Sequence, residues 1–214
     1  MKKAIAILCV TPNRNSLDFA GEIYKETGIE VVFVCDNFPD ILSTTLPIGV
    51  QLNYVPDEVC VAKGFTNSNI SKNDTHIAKN PIAWDKYLYL FCEVYTTYDF
   101  VWVFEEDCFI PSVESLKALD YVYSSYDLVC ANNFYNDGTA MDWHWGRIYP
   151  HLKPPYYYSM VCASGMSRKL LNVVYNYAKE NNTLLYIEVM FNTFAMQNNL
   201  CLLYTSDAAD DTPC

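Results

Sequence analysis

The sequence predicts an α/β fold, with a central sheet flanked by helices, in a single domain. Its 214 residues are 51% hydrophobic and 18% charged, which is typical of a globular chain with one sizeable core. Short unbroken apolar runs, such as Phe100 to Phe104, are typical of strands that are covered on both faces. Amphipathic helical stripes separate these runs, so strands and helices alternate along the chain.

The first three strands are apolar runs that end at turn residues. They are expected over residues 4–10, 31–35 and 50–55. Between the first two, Asn15 or Ser16 is expected to cap a helix that runs to about Thr27, and Gly28 to stop it. This strand–helix–strand unit implies a right-handed parallel crossover. Polar residues after both strands should therefore meet at one edge of the sheet.

The middle of the chain combines a polar stretch with a strongly apolar helix. Residues 62–80 are rich in Asn, Ser and Lys and form either a surface excursion or a substrate loop. Pro81 then opens a helix. Its buried stripe has helical spacing and consists of Trp84, Tyr87, Leu88, Phe91 and Tyr95.

The second half repeats the alternation of strands and helices. Helices are expected over residues 112–125, 168–180 and 188–198, the second of them capped by Ser167. Strands are expected over 127–131, 156–163 and 200–204, with an irregular region over 132–155. The domain is expected to span 1–205, and the acidic segment 206–214 to be a linker or a disordered tail.

The stretch around which the chain is organised is the apolar run that stops at Glu105, Glu106 and Asp107. Ligands of open α/β sheets bind beyond the carboxyl ends of such strands. Three adjacent carboxylates repel one another unless a cation lies among them, and Mg²⁺ or Mn²⁺ holding a phosphate is the simplest occupant. The alternative is a solvated acidic turn, which the apolar residues 108–110 disfavour.

Charge and cysteine content exclude several classes of protein. The net charge is −11 and the 14 Lys and Arg residues are scattered, so nucleic acid is not an expected partner. No apolar run reaches the length of a membrane span, and residues 4–10 lack a convincing cleavage site for a secretion signal. The nine cysteines lack metal-ligand spacing and favour buried free thiols in a reducing compartment, so a cytoplasmic location is expected.

The order of the strand ends resembles that of the GT-A-fold, nucleotide-sugar-dependent glycosyltransferases. The matching residues are Thr11-Pro12-Asn13-Arg14, Asp36-Asn37, Glu105-Glu106-Asp107 and Glu188, which opens a helix. The resemblance covers most of residues 4–204 through short motifs. It implies a Rossmann-like central mixed sheet and transfer of a sugar from a nucleotide-diphosphate donor, with a UDP-sugar favoured, to a glycan acceptor.

The size of the chain further suggests an enzyme from an alga or a large DNA virus. An example is the N-terminal glycosyltransferase domain of a multidomain chlorella-virus protein, which would act in the host cytoplasm. Further domains after Cys214 would fit this interpretation.

The resemblance also implies a metal ion, because the family uses an Asp-x-Asp motif to hold Mn²⁺ or Mg²⁺ against the donor diphosphate. Glu105-x-Asp107 stands in that position here. Asp107 is then a direct metal ligand, and Glu105 contacts the metal, a metal-bound water or the ribose. Such a metal neutralises the charge that develops on the leaving diphosphate.

Residues near the strand ends are assigned to the nucleotide sugar. The expected set is Thr11, Asn13, Arg14, Asp36, Asn37, Lys63, Asp85, Lys86, Glu105 and Glu106. Some of these also have structural interpretations: Arg14 fits a surface cation, and Asp36 fits a turn former before Asn37.

Glu188 is the candidate general base. Its apolar neighbours should raise its proton affinity, which suits removal of a proton from an acceptor hydroxyl during inverting displacement. The alternative is an acid that stabilises a helix N-terminus.

The acceptor or the sugar is assigned to a further set of residues, Trp143, His144, Trp145, Arg147, Ser164 and Gly165. Indole faces stack on the C–H faces of sugars, although core packing beneath a long loop explains the tryptophans equally well. Ser164-Gly165 resembles an acceptor-side turn before a helix.

Other functions stay open at this point. A retaining mechanism depends on where Glu188 lies relative to the anomeric carbon. A nucleotidyltransferase that makes nucleotide sugars also uses carboxylates and a metal, but residues 11–15 lack the glycines of its phosphate loop. A noncatalytic carbohydrate-binding module would use the aromatic residues for sugar and the acids for structural Ca²⁺.

Overall fold

The protein is built on a central sheet of seven strands, and the computed structural model describes residues 1–38, 45–69 and 80–204. The strands are β1 (Lys3–Cys9), β2 (Glu30–Cys35), β3 (Val50–Tyr54), β4 (Phe100–Glu105), β5 (Leu128–Cys130), β6 (Phe134–Asn136), β7 (Tyr156–Tyr158), β8 (Ala163–Ser167) and β9 (Leu202–Tyr204). The helices are α1 (Arg14–Thr27), α2 (Asp57–Lys63), α3 (Ala83–Tyr89), α4 (Val113–Tyr123), α5 (Trp145–Ile148), α6 (Arg168–Asn181) and α7 (Ile187–Gln197). A π-helical turn, Leu90–Val94, continues α3.

The strands of the central sheet follow the order β3-β2-β1-β4-β8-β5-β9. β1 pairs in parallel with β2 and β4, whereas β8 runs antiparallel to β4 and β5. The sheet is therefore mixed, and the predicted α/β fold class is confirmed. β6 and β7 form a separate antiparallel pair.

Both faces of the sheet are covered by helices, as the apolar runs predict. Val101 and Val103 of β4 join one core with residues of α3, α6 and α7. Phe100, Trp102 and Phe104 join the other core with residues of α1 and α4. Because successive strand residues point to opposite faces, a strand between two cores is apolar at every position.

The helix caps explain where α1 and α6 begin. Asn13, rather than Asn15 or Ser16, caps α1, because its Oδ1 accepts a hydrogen bond from the Ser16 backbone N–H at 2.9 Å. Gly28 ends α1 with a φ of 71°, in the left-handed region that favours glycine. The predicted Ser167 cap is confirmed, since its Oγ accepts from the Leu170 N–H at 3.3 Å.

Two predictions about the second half are wrong. A single strand does not span residues 156–163, because β7 ends at Tyr158 and the backbone N–H of Ser159 donates to the carbonyl of Glu188 at 2.9 Å. Residues 132–155 are not wholly irregular, since β6 and α5 lie within them. Burial of Trp145, Ile148 and Tyr156 in a small core of their own stabilises this region.

The polar stretch predicted over residues 62–80 is described only in part. Phe65, Thr66 and Ser68 are buried, so this described part is not a surface excursion. The carbonyls of Thr66 and Ser68 accept hydrogen bonds from the segment before α7, at 2.8 and 3.0 Å. Residues 70–79 and the predicted tail 206–214 lie outside the described residues.

In the described ranges, seven cysteines are free thiols, and five of them are buried. Cys201 is disulfide-bonded, so the expectation of free thiols is wrong for this residue. No helix among the described residues is long and apolar enough to cross a membrane.

Gly165 lies where β8 passes between large aromatic side chains. A Cβ atom on Gly165 would lie 2.6 Å from a ring carbon of Phe100 and 2.7 Å from one of Trp102. We expect Gly165→Ala to lower the free energy of unfolding by about 1–3 kcal/mol through overpacking. Urea unfolding monitored by circular dichroism measures this change.

Gly146→Ala is the matched control, because nothing lies within 4 Å of a Cβ atom at Gly146 in α5. Its free energy of unfolding should stay within about 0.5 kcal/mol of the wild type or rise. Equal losses in the two variants would contradict the packing argument.

Asp85 has a structural role in the first turn of α3, not the predicted contact with a nucleotide. Its carboxylate is buried and accepts hydrogen bonds from the backbone N–H groups of Ser68 and Ile82, at 3.0 and 2.9 Å. Burial raises the pKa of Asp85 from 3.8 to about 6. The folded protein therefore binds this proton more tightly than the unfolded chain does.

This difference predicts a specific pH dependence of stability. Between pH 4 and 6 the raised pKa of Asp85 makes the wild type less stable as pH rises, because the folded state must lose the proton it favours. Asp85→Asn removes the titration. The free energy of unfolding of the variant minus that of the wild type should therefore rise by up to about 1.4 kcal/mol per pH unit in this window. Urea unfolding across pH 4–7 measures the difference, and a constant difference would contradict the assignment.

Candidate active site

The topology of the sheet creates a crevice at the carboxyl ends of β1 and β4. From β1 the chain adds β2 and β3 on one side and then returns to place β4 on the other side. The strand order therefore reverses between β1 and β4, which is where open α/β sheets bind ligands. Glu105, Glu106 and Asp107 follow directly at this point.

Backbone hydrogen bonds hold the acids against the end of β1. The N–H of Glu106 donates to the carbonyl of Leu8 at 2.9 Å, and the N–H of Val10 donates to Oε1 of Glu106 at 3.4 Å. The N–H of Cys108 donates to the carbonyl of Glu105 at 3.0 Å and closes the turn. Glu106 and Asp107 are exposed on this turn, whereas Glu105 is half-buried.

The acids line a small cleft, which we call the edge cleft. It has a volume of about 340 Å³ and is lined by residues 8–10, Asp36, 82–84 and 105–107. The three predicted carboxylates and the predicted Asp36 are thus brought together. These four acids are positioned by the carboxyl ends of three strands, β1, β2 and β4, and the start of α3 lines the same cleft.

Glu105 is held from two sides. Nε1–H of Trp84 donates to its Oε1 at 2.7 Å. The thiol of Cys162 also bonds to this carboxylate, and burial together with the charge of Glu105 raises the pKa of Cys162 to about 11. The backbone carbonyl of Cys162 accepts a hydrogen bond from the backbone N–H of Glu105, at 2.9 Å. The carboxylate is therefore fixed in orientation before any ligand binds.

Asp36 lies beside a buried lysine. Nζ of Lys86 is 3.0 Å from Oδ1 of Asp57 and 3.7 Å from Oδ1 of Asp36, and it donates to the backbone carbonyl of Asp36. It also lies 4.9 Å from the ring centre of Tyr54. Burial raises the pKa of Asp36, and the Lys86 ammonium opposes this rise. Oδ1 of Asp36 is buried without a hydrogen bond, so this carboxylate has unused acceptor capacity.

Glu188 lies near Glu105 at the start of α7. Burial raises the pKa of the half-buried Glu188 carboxyl group. The hydrogen bond from the Tyr186 hydroxyl lowers this pKa, whereas the negative charge of Glu105 raises it further. The helix start is fixed by the backbone, since the carbonyl of Glu188 accepts the N–H of Ser159. A carboxylate with raised proton affinity is suited to accept a proton.

Glu188 also lines a second cleft, which we call the aromatic cleft. This cleft has a volume of about 620 Å³. Its lining comes from the β6–β7 pair, the segment 137–143 and the start of α7. The predicted Trp143 and Trp145 belong to it, Trp143 exposed and Trp145 buried at its base. Glu188 therefore lines the aromatic cleft and interacts electrostatically with Glu105, which lines the edge cleft.

Other predicted acceptor residues lie differently. His144 packs against the ring of Tyr186 at 5.0 Å, and Arg147 follows in α5 without lining the aromatic cleft. The prediction that Ser164 and Gly165 form a turn before a helix is wrong. They are buried in β8, where Gly165 pairs with Trp102, so neither is available for an acceptor.

The remaining predicted donor residues are only partly brought together. Asn13 lines a neighbouring cavity of about 280 Å³ with Glu105 and Glu106, although its side chain caps α1. Thr11 is exposed after β1, and the N–H of Asn37 donates to the carbonyl of Val10 at 3.3 Å. Arg14 is exposed and forms an ion pair with Asp18 at 2.9 Å. This contact agrees with the structural interpretation of Arg14 as a surface cation.

Lys63 is not brought to the acids, so its assignment to the nucleotide is corrected. Its Nζ pairs with Glu93 at 2.7 Å. Trp84 contacts Glu105 at the start of the same helical run, and a rise of 1.5 Å per residue places Glu93 about 13 Å further along it. The Lys63 pair therefore lies toward the opposite edge of the sheet.

Sequence reasoning missed three groups that shape the site: Trp84, Cys162 and Tyr186. Trp84 carried a signal, since a residue of the apolar stripe with an N–H group requires a hydrogen-bond partner when buried. Cys162 and Tyr186 carried none, because their roles depend on the antiparallel β8 and on the turn before α7.

The chemistry of the edge cleft fits a hard divalent cation. Magnesium is usually bound by one or two protein carboxylates together with substrate phosphates. Glu105 and Asp107 line one cleft and supply such oxygen atoms. Among the described residues, no group of three or more His, Cys, Asp or Glu side chains is placed so that it could hold a metal ion. A phosphate-bearing ligand would therefore supply the remaining oxygen atoms.

Comparisons with known proteins find similarity only among solved structures. No protein-family model matches the chain, and no curated protein matches it. The crystal structure of A197 from STIV is 14% identical over 88% of this chain and 83% of that chain, with a TM-score of 0.34. The apo structure of mouse xyloside xylosyltransferase 1 is 10% identical over 96% of this chain and 86% of that chain, with a TM-score of 0.44. At these values neither similarity identifies an activity for this chain.

Proposed function

We propose that the protein is a metal-dependent glycosyltransferase. It transfers a sugar from a nucleotide-diphosphate donor, with a UDP-sugar favoured, to a glycan hydroxyl with inversion at the anomeric carbon. The observation that carries this proposal is a pair of clefts linked by charge: carboxylates 105–107 line the edge cleft at the strand-order reversal, and Glu188, whose carboxyl group feels the charge of Glu105, lines the aromatic cleft. Such an arrangement would allow a donor and an acceptor to meet near Glu188.

The edge cleft is the proposed donor site. Glu105 and Asp107 would hold a Mn²⁺ or Mg²⁺ ion, which supplies neutralisation of the charge on the leaving diphosphate when it is bound. Trp84 and Cys162 keep the Glu105 carboxylate in position. Oδ1 of Asp36 accepts no hydrogen bond, and Asp36 is the proposed acceptor of hydrogen bonds from the base or ribose.

Lys86 is a positioning residue in this proposal. Its buried ammonium joins the end of β2 to Asp57 of α2, so it fixes the segment that carries Asp36. Because the side chain is only 2% exposed, direct contact with phosphate, as the sequence suggests, requires the pocket wall to move. Lys86 acts instead through Asp36.

Glu188 is the proposed general base. An acceptor hydroxyl oxygen attacks the anomeric carbon as the bond from that carbon to the diphosphate oxygen breaks. The hydroxyl proton passes to the Glu188 carboxylate, whose raised pKa favours this transfer. The Tyr186 hydroxyl holds the carboxylate in place.

A noncatalytic carbohydrate-binding module is the second candidate. The size and exposed rings of the aromatic cleft favour it, because neither depends on the acids of the edge cleft. Nucleotide binding separates the two candidates, since only the transferase requires a nucleotide site.

Asp107→Ala should abolish metal-dependent nucleotide binding without unfolding the protein, because the exposed carboxylate makes metal contacts and no core contacts. Calorimetric titration of UDP and GDP with and without Mn²⁺ measures this. We expect Mn²⁺ to tighten nucleotide binding by at least about tenfold in the wild type and to have no effect in the variant.

Glu22→Ala is the control for this experiment, since Glu22 is an exposed carboxylate on α1 outside the edge cleft. It should bind as the wild type does. Metal-independent binding by the wild type, or normal binding by Asp107→Ala, would contradict the donor site.

Glu188→Gln should leave donor affinity unchanged and slow transfer, because glutamine keeps the size of the side chain but accepts no proton. We expect a loss of roughly 10²- to 10⁴-fold in turnover. Release of UDP from the UDP-sugar that binds most tightly measures the rate, with water or a glycan as acceptor. Glu180→Gln, an exposed acid at the end of α6, is the matched control. Normal turnover in Glu188→Gln would remove this residue as the base.

A further inference from the structure

Two exposed aromatic rings share one side of the aromatic cleft. Phe134 and Trp143 line it and expose 48% and 40% of their surface. Large aromatic rings grouped at a cleft are typical of binding surfaces, because their exposure to water is unfavourable. The cleft therefore has a stacking surface that the fold itself does not use.

Each ring is supported by a second ring behind it. Phe134 and Trp143 pack on Tyr158, with ring centres 5.2 and 5.4 Å away. Tyr135 and Tyr157 pack together on the opposite face of the β6–β7 pair, with ring centres 5.5 Å apart. The rings are thus held in one orientation, which reduces the entropy lost when a ligand binds.

The wall that carries these rings is fastened to α7. The Thr193 hydroxyl accepts the N–H of Tyr157 and donates to its carbonyl, both at 2.9 Å. The Asn192 side chain donates to the carbonyl of Asn132 at 3.1 Å and to Oδ1 of Asn133 at 2.9 Å. Since Glu188 begins the same helix, the distance between the stacking surface and Glu188 is fixed by one rigid element.

The charged residues among the described lining of the aromatic cleft have one sign. Asp137, Asp142 and Glu188 line it, and none of its described lining residues is a lysine or an arginine. The Thr139 hydroxyl and N–H bond to Asp137 at 2.6 and 2.9 Å and hold the pKa of this carboxyl below its usual range, so it is ionised at neutral pH. An anionic ligand would meet repulsion without a compensating cation.

We propose that the aromatic cleft binds a neutral glycan and excludes anionic glycans. The C–H faces of the sugar rings stack on Phe134 and Trp143, while hydroxyl groups donate to Asp137 and Asp142. The volume of about 620 Å³ lies within the range of small-ligand pockets and suits a short oligosaccharide. This inference rests on the proposed function in one respect, namely that the bound glycan is the acceptor that reaches Glu188.

Ligand-observed saturation-transfer NMR, without nucleotide or metal, tests the binding. The neutral probes are cellotriose, maltotriose and β-1,4-mannotriose. The anionic probes are the first two with each primary alcohol oxidised to a carboxylate, so that they differ from the neutral sugars only at that carbon. We expect at least one neutral trisaccharide to bind with a Kd on the order of 1 mM, and the anionic probes to bind at least about tenfold more weakly.

Variants of the rings locate the binding in this cleft. Phe134→Ala and Trp143→Asn should each weaken binding by at least about tenfold. Asparagine is chosen because Trp143 has a φ of 53°, which asparagine tolerates and most residues do not. Tyr121→Ala is the matched control, since Tyr121 is a 91% exposed ring on α4, outside the cleft. It should bind as the wild type does.

The double variant Asp137→Asn/Asp142→Asn tests the exclusion. It should bind the anionic trisaccharides at least about tenfold more tightly than the wild type does. Three results would overturn the proposal: no binding of any neutral probe, equal or tighter binding of the anionic probes by the wild type, or unchanged binding by both ring variants. Because no nucleotide is present, failure here is distinguishable from failure of metal-dependent UDP binding in the edge cleft.

Discussion

The pairing of β1 with β4 is the constraint on which the rest of the site depends. It brings the end of β4 beside Leu8 and Val10, where two hydrogen bonds hold Glu106. Since β2 continues on the far side of β1, Asp36 reaches the same edge. Backbone pairing therefore places three carboxylates and Asp36 at one edge of a sheet whose two faces are both packed against helices.

Concentrating acids at one edge has an electrostatic cost that the structure offsets locally. The indole of Trp84 and the thiol of Cys162 bond to Glu105, and buried Lys86 lies between Asp36 and Asp57. Glu106 and Asp107 have no such support from the described side chains and face solvent on the turn. This division suits the proposed site, in which Glu105 is held in position before a ligand binds and the charge of Asp107 would be neutralised by a bound cation.

The sequence predicted the parallel part of the fold well, because strands such as β4 lie between two cores and are apolar at every position. It also predicted the acid-bearing edge, since Asp36 and residues 105–107 end such strands. It did not predict that β8 enters the sheet antiparallel between β4 and β5, because Ser159 is the one polar residue of the run 156–163 and the break there depends on a contact with Glu188. Lys63 was assigned from its charge next to Gly64, and Asp85 from its charge in the first turn of an apolar helix. Only tertiary contacts show that they pair with Glu93 and with backbone N–H groups.

The central claim is that a divalent cation and a diphosphate bind together in the edge cleft. The most direct measurement is a crystal structure with Mn²⁺ and UDP, using anomalous scattering to locate manganese. The account predicts an anomalous peak within about 2.5 Å of an Asp107 carboxylate oxygen, between it and the diphosphate. An edge cleft without manganese, or a nucleotide bound elsewhere while Asp107 faces water, would contradict it.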